Sequence, residues 1–209
     1  MVPAGQALWH VHGLGRGAVE FNPTARPAPA PAEPVLGGRF DSIDGSYAYW
    51  YAGRTEPGAF AESFARHLDY TKAGPRPLPY RVVADRAVTE VRTVRDLSLV
   101  VAHGAGAEQL GQDIWLTTSD EGDYPLTRQW ATAIRRWVPV ADGLVWKSRR
   151  DPAEEVLVLW GDPPKAKAGC GLVALGPGPV TTEPLASGPA SLRLKGWLKP
   201  WRLYIEPGH

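Results

Sequence analysis

Four short blocks of this 209-residue chain set polar side chains beside aromatic ones: Gly37-Gly38-Arg39-Phe40, Tyr51 followed by Glu62, Thr127-Arg128-Gln129-Trp130, and Lys147-Ser148-Arg149. These residue types have distinct capacities. A guanidinium grips an anion through paired N–H donors, an aromatic face attracts a planar cation, and a fixed carboxylate stabilises positive charge that develops in a transition state. Each block also has a purely structural reading. Arg39 after two glycines is then a loop cation, Glu62 a solvated helix residue or the partner of Arg66, Arg128 a surface residue, and Ser148 a strand-end hydroxyl capping a turn. No His/Cys/carboxylate cluster with ligand spacing accompanies the four blocks, so no metal is expected.

The elements that must position these residues are short. Leu8, Trp9, His10 and Val11 alternate like a strand that Gly13, Gly15 and Gly17 then break, and the ring-rich residues 47–52 form a strand bounded by Gly45 and Gly53. The glycine run resembles a nucleotide loop but lacks the helix that should follow it; it runs instead into Phe21-Asn22-Pro23 and an extended Pro/Ala tract. Thr55 caps a predicted helix over residues 55–68 with Pro57 in its first turn, Phe60 and Phe64 on its apolar face and Glu62 at the edge. Strands are expected at 88–94, 97–102, 144–146 and 156–160. A short helix is expected at 105–110, and another at 127–137 whose buried side is Trp130, Ile134 and Trp137. Beyond Gly161 the composition turns to Gly, Pro, Ala and Lys; residues 192–194 and 203–205 read as late strands, an edge hairpin packed on the core. Strands and helices interleave without a regular βαβ rhythm, which predicts a single α+β mixed domain: a core at 1–161 with a Pro/Ala-rich loop at 23–38, and a C-terminal extension at 162–209.

Composition narrows the function classes. Hydrophobic residues at 44% and charged residues at 22% exclude a disordered chain. A formal charge of +1 gives no field to hold nucleic acid by counterion release, so none is expected as a partner. A lone Cys170 offers no disulfide framework, no apolar stretch reaches the roughly 18 residues of a membrane span, and residues 1–16 lack a leader, so a cytoplasmic protein is expected. With 23 glycines, 21 prolines and 9 tryptophans, short elements, long loops and aromatic-lined clefts are anticipated.

In order and spacing the blocks resemble the RES domain, a family named for an arginine, a glutamate and a serine. The likeness includes the first strand from Leu8 to His12, Phe21-Asn22-Pro23, Arg39-Phe40-Asp41, Tyr51-Ala52 and Ala61-Glu62, and covers about residues 7–160. The resemblance implies a compact α+β fold similar to the catalytic domain of ADP-ribosylating toxins. It implies action on NAD+ as substrate, and the role of a toxin that destroys NAD+ by phosphorolysis or hydrolysis, held in check by a helix-turn-helix antitoxin of the Xre class.

On that reading Glu62 stabilises the oxocarbenium-like state as the nicotinamide–ribose bond breaks. Tyr51, backed by Tyr49 and Trp50, stacks on the cationic ring, Arg39 takes the pyrophosphate, and Ser148 bonds a phosphate or ribose oxygen, with Thr127 and Arg128 completing the wall. Arg128 or Arg149 supplies a cationic pocket for inorganic phosphate, the expected co-substrate. Two features depart from the family. His10 stands where many members carry an arginine, and either acts as a cation when protonated or leaves another arginine to substitute; the Trp-rich tail is either core packing or a contact for a homodimer or antitoxin. A protein mono-ADP-ribosyltransferase and a catalytically silent partner-binding module remain as alternatives.

Overall fold

A computed structural model describes residues 1–65, 74–176 and 182–208. In chain order the strands are β1 (Ala7–Gly13), β2 (Ala48–Gly53), β3 (Arg76–Leu78), β4 (Arg86–Thr93), β5 (Leu99–Val101), β6 (Gly143–Lys147), β7 (Glu155–Gly161), β8 (Val173–Leu175), β9 (Glu183–Pro184) and β10 (Leu203–Ile205). The α-helices are α1 (Glu56–Phe60), α2 (Arg81–Ala84), α3 (Ala105–Gln109), α4 (Trp115–Thr118), α5 (Tyr124–Trp137) and α6 (Gly188–Leu198). A mixed, twisted eight-stranded sheet in the order β5-β6-β7-β2-β1-β4-β8, with β9 also on β4, forms the centre of this α+β fold. All its described pairings are antiparallel except β5 with β6.

Alternation along the strands sends side chains to opposite faces. Leu8, Trp50, Ala52, Leu157 and Leu159 share one core with Phe21 and Leu172. On the other face the apolar residues divide. Val11 and Val88 pack with Phe60, Phe64, Leu194 and Leu198 under α1 and α6, whereas Tyr49, Trp146 and Val158 pack with Ala131 and Ile134 under α5. The division follows a seam in the sheet. Strand β1 pairs with β4 from Ala7↔Arg92 to Gly13↔Arg86, but with β2 it shares only Trp9↔Gly53. A side chain at Gly53 would lie 2.6 Å from the Thr55 carbonyl oxygen, so glycine lets the chain turn straight from β2 into α1.

Three expectations change. The helix begins as anticipated, with Thr55 Oγ1 accepting from Gly58 N at 3.1 Å, but passes at Ala61–Ala65 into a π-helical turn; its expected remainder, with Arg66, lies outside the described residues. Helix α5 starts at Tyr124 and buries Tyr124, Thr127, Arg128, Ala131 and Ile134, while Trp137 is 62% exposed. Polar residues take the inner side because the chain packed against it offers carbonyl acceptors. Leu192 to Leu194 lie inside helix α6, where Ala190, Leu194 and Leu198 recur every fourth residue and are buried, so the hairpin reading gives way to a helix. Strand β10 pairs instead with β3, in parallel.

Candidate active site

Where β1 and β2 part, a cavity of about 580 Å³ opens, lined by His10, Val11, His12 and Gly13 from one strand and by Tyr49, Trp50 and Tyr51 from the other. Gly37, Gly38, Arg39, Asp41, Glu62, Tyr124 and Trp146 complete much of the wall. Of the residues expected in the site, Glu62, Arg39, Tyr51, Tyr49 and His10 are thus brought together.

The loop that presents Arg39 is held by buried partners. Gly38 N donates to Asp41 Oδ2 at 2.8 Å, and the Tyr51 hydroxyl donates to Asp41 Oδ1 at 2.7 Å while accepting from Phe40 N at 2.9 Å. A side chain on Gly38 would come 2.6 Å from that hydroxyl, so only glycine allows this approach. Burial raises the Asp41 pKa, opposed by the hydrogen bonds from Gly38 and Tyr51, and burial next to Asp41 holds the Tyr51 phenol well above its ordinary value and therefore neutral. Behind the loop, Arg128 Nε donates to the Gly38 carbonyl at 3.0 Å and its Nη1 to the Arg26 carbonyl at 3.2 Å, with Nη2 on the Leu36 carbonyl. Thr127 Oγ1 donates to the Arg39 carbonyl at 2.7 Å.

Arg39 itself is 6% exposed. Its Nη2 donates to the Ser119 carbonyl at 3.1 Å and its Nε to Ser119 Oγ at 3.4 Å, and its guanidinium lies 5.4 Å from the centre of the Tyr124 ring. Glu62 enters from the π-turn. A π-turn adds a residue to one helical turn and re-aims the side chains that follow, a device frequent at functional sites; here Glu62 and Ser63 reach the cavity while Phe64 and Ala65 remain in the core.

His10 fills the parting of the strands. Its Nδ1 lies 2.6 Å from the Tyr51 carbonyl oxygen, and since a carbonyl can only accept, Nδ1 carries the proton. Its ring stands 4.6 Å from Trp50 and 5.4 Å from His12. Loss of water around the ring, then the charges of His12, Arg16 and Arg86, bring its pKa down to about 3 against the pull of the Tyr51 carbonyl. This favours the neutral ring near pH 7 and, of the two readings of this position, the one in which another arginine takes the cation's place.

Four expected site residues stand elsewhere. Arg128 and Thr127 act on the loop from behind and do not line the cavity. Ser148, at the end of β6, has an Oγ that accepts from Arg150 N at 3.4 Å and lines a separate depression with His103, Lys147 and Arg149. Arg149 Nη1 is held by Asp120 and by the Ser119 carbonyl. The residues not anticipated are Ser119, which fixes Arg39, and the cavity arginines Arg16, Arg26, Arg81 and Arg86; Asp41, part of the family pattern, gains a role in holding Tyr51. The contact from Arg39 to Ser119 spans 80 positions, which no local pattern announces. Among the described residues no group of three or more His, Cys, Asp or Glu could hold a metal ion, and no helix is long and apolar enough to cross a membrane.

A chain of the crystal structure of the M. tuberculosis MbcT-MbcA toxin-antitoxin complex has a similar fold, with a TM-score of 0.56 at 12% identity over 88% of each chain. No curated protein matches the sequence significantly. The RES domain matches residues 7–173, which span β1 to the start of β8 and include every residue placed around the cavity. The chain therefore belongs to the RES domain family.

Proposed function

We propose that this protein degrades NAD+ by cleaving the nicotinamide–ribose bond, with inorganic phosphate as acceptor, releasing nicotinamide and ADP-ribose 1″-phosphate. The observation that carries the reading is the meeting of Glu62, Tyr51 and Arg39 in one cavity of a RES-family chain. The cavity falls in the range of small-molecule sites. In this reading the nicotinamide ring stacks against Tyr51, Arg39 holds the pyrophosphate, and Glu62 faces the anomeric carbon and stabilises its developing charge. Nicotinamide leaves neutral, so the reaction needs no strong general acid. Tyr49 and the neutral His10 complete the wall.

The similarity to a chain of a toxin-antitoxin complex supports a toxin's role in the cell, with an antitoxin protein as its partner; the family pattern makes that antitoxin one of the helix-turn-helix Xre class. Incubation of the purified chain with NAD+, with and without phosphate, tests the chemistry. NAD+ loss that rises and saturates with phosphate supports phosphorolysis; loss indifferent to phosphate, with free ADP-ribose, makes it a glycohydrolase, and modified protein makes it an ADP-ribosyltransferase. Glu62→Gln should lower turnover by about a hundredfold with little change in KM, as for a group that acts in the transition state. Unchanged turnover removes Glu62 from the mechanism.

A further inference from the structure

Arg39 sits between two main-chain N–H groups that both end on one carboxylate. Gly38 N donates to Asp41 Oδ2 at 2.8 Å; Phe40 N donates to the Tyr51 hydroxyl at 2.9 Å, and that hydroxyl donates to Asp41 Oδ1 at 2.7 Å. The direction of these bonds is set at their far ends, because a main-chain N–H can only donate and a phenol has one proton to give. Both oxygens of Asp41 therefore accept. A protonated Asp41 turns one oxygen into a donor, which opposes the Gly38 N–H or makes the Tyr51 hydroxyl turn its own proton away, and the described residues offer that proton no other acceptor. The bonded arrangement thus calls for the carboxylate, although Asp41 is only 2% exposed. The charged and titratable groups that face it are Arg26, whose Nε lies 4.0 Å from Oδ2, Arg128, whose charge favours the ionised form, and the hydroxyls of Tyr49 and Tyr51.

We propose that ionised Asp41 is a positioning residue for substrate binding: by accepting from the peptide groups on both sides of Arg39 it sets the guanidinium to receive the dinucleotide's pyrophosphate. The proposal rests on the NAD+ reading and adds to it the charge state that the site needs. Ser119 holds the tip of Arg39, and Asp41 holds its base. The neighbouring carbonyls are tied as well, Gly38 O by Arg128 Nε at 3.0 Å and Arg39 O by Thr127 Oγ1 at 2.7 Å. A guanidinium and a hydroxyl keep their protons in mild acid, as a neutral phenol does, so among these partners Asp41 alone changes charge there. Burial raises its pKa above the ordinary 3.8, opposed by the Gly38 N–H, Tyr51, Arg128 and Tyr49, so its protonation begins at a higher pH than that of an exposed aspartate. Binding of the substrate is then lost in acid through the loop and not through the arginine itself.

The test is the steady-state kinetics of Asp41→Asn, which keeps the shape and loses the charge, and of Tyr51→Phe, which keeps the ring face and loses the relay to Phe40. Thermal melting establishes that each variant folds, and if Asp41→Asn does not, Tyr51→Phe carries the same test at Phe40. The expected result is a KM for NAD+ raised about tenfold with kcat within about threefold of native, as for bonds that shape binding and not the transition state. Acid should raise KM more steeply in the native chain than in Asp41→Asn, and the difference between the two curves separates Asp41 from Glu62 in the same cavity. A fall in kcat at unchanged KM, or parallel pH curves, overturns the proposal. A separate arm needs no turnover: amide hydrogen exchange at Gly38 and Phe40, followed by NMR. Faster exchange at both in Asp41→Asn, and at Phe40 in Tyr51→Phe, supports the tie even if the native chain leaves NAD+ intact, in which case only the NAD+ reading fails. Exchange unchanged in the variants overturns the tie itself.

Discussion

The cleft between β1 and β2 and the depression beside the end of β6 both bring basic side chains, histidine and serine together. They differ in how the polar groups are held. In the cleft, Arg39 and Tyr51 are fixed by Ser119, Asp41 and a buried Arg128. Beside β6 the cations pair with acids nearer the solvent: Lys147 Nζ lies 3.4 Å from Glu155, His103 Nε2 lies 3.7 Å from the same carboxylate, and Arg149 contacts Asp120, whose side chain is 79% exposed. Preorganisation, more than residue type, separates the cleft proposed for catalysis from the depression beside β6. A group fixed before the substrate arrives loses little freedom on binding, and a surface ion pair contributes little to anything.

The largest effect that would sharpen this contrast comes from Arg128→Met. Three main-chain carbonyls lose their donors, and at about 1 kcal/mol each the chain should lose roughly 3 kcal/mol of stability. Denaturant unfolding measures it. A loss below about 1 kcal/mol would mean that the loop carrying Arg39 holds itself.

An intermediate effect concerns His10 on the seam. Its folded pKa, about 3, lies below the ordinary value of 6.5, so the unfolded chain binds the proton first. The stability associated with neutral His10 is therefore present above pH 6.5 and is lost as pH falls from 6.5 toward 3. Melting temperatures should drop more steeply over that window for the native chain than for His10→Gln. Parallel curves would mean that the ring is solvated and titrates normally.

The smallest effect belongs to the depression. Ser148→Ala should leave NAD+ turnover within about twofold of native, and Arg149→Ala should cost less than about 1 kcal/mol. A hundredfold loss of turnover in Ser148→Ala would erase the contrast and bring β6 into the site.

Much of the sheet was legible because aromatic and β-branched runs bounded by glycine mark strands directly. Ala48–Gly53 and Glu155–Gly161 each lie within a residue or so of the expected spans. The start of α1 was legible from Thr55 and Pro57, its π-turn was not, because a single added residue changes no local preference. In α5 hydropathy pointed to Trp137, whereas main-chain acceptors from residues 26–39 draw Thr127 and Arg128 inward. Helix α6 had its signals, Ser187 before the first turn and Pro189 within it, but the alternation of Leu192 and Leu194 imitates a strand. In the site, Glu62, Arg39 and Tyr51 emerged through the family pattern, which also contains Asp41 without giving it a role; Ser119 could be found only through a contact across the fold.

The lone rung between β1 and β2 has a thermodynamic consequence. Strand β1 is joined to β4, and β2 to β7, by continuous ladders, whereas between β1 and β2 the bonding comes down to the Trp9–Gly53 rung and the His10 imidazole. A molecule that touches both walls stands in for the missing rungs, and its binding energy adds to the cohesion of the whole sheet. Occupancy of the cleft and resistance to unfolding are then one linked equilibrium, and a compound that spans the gap registers as a stabiliser of the fold before any chemistry occurs.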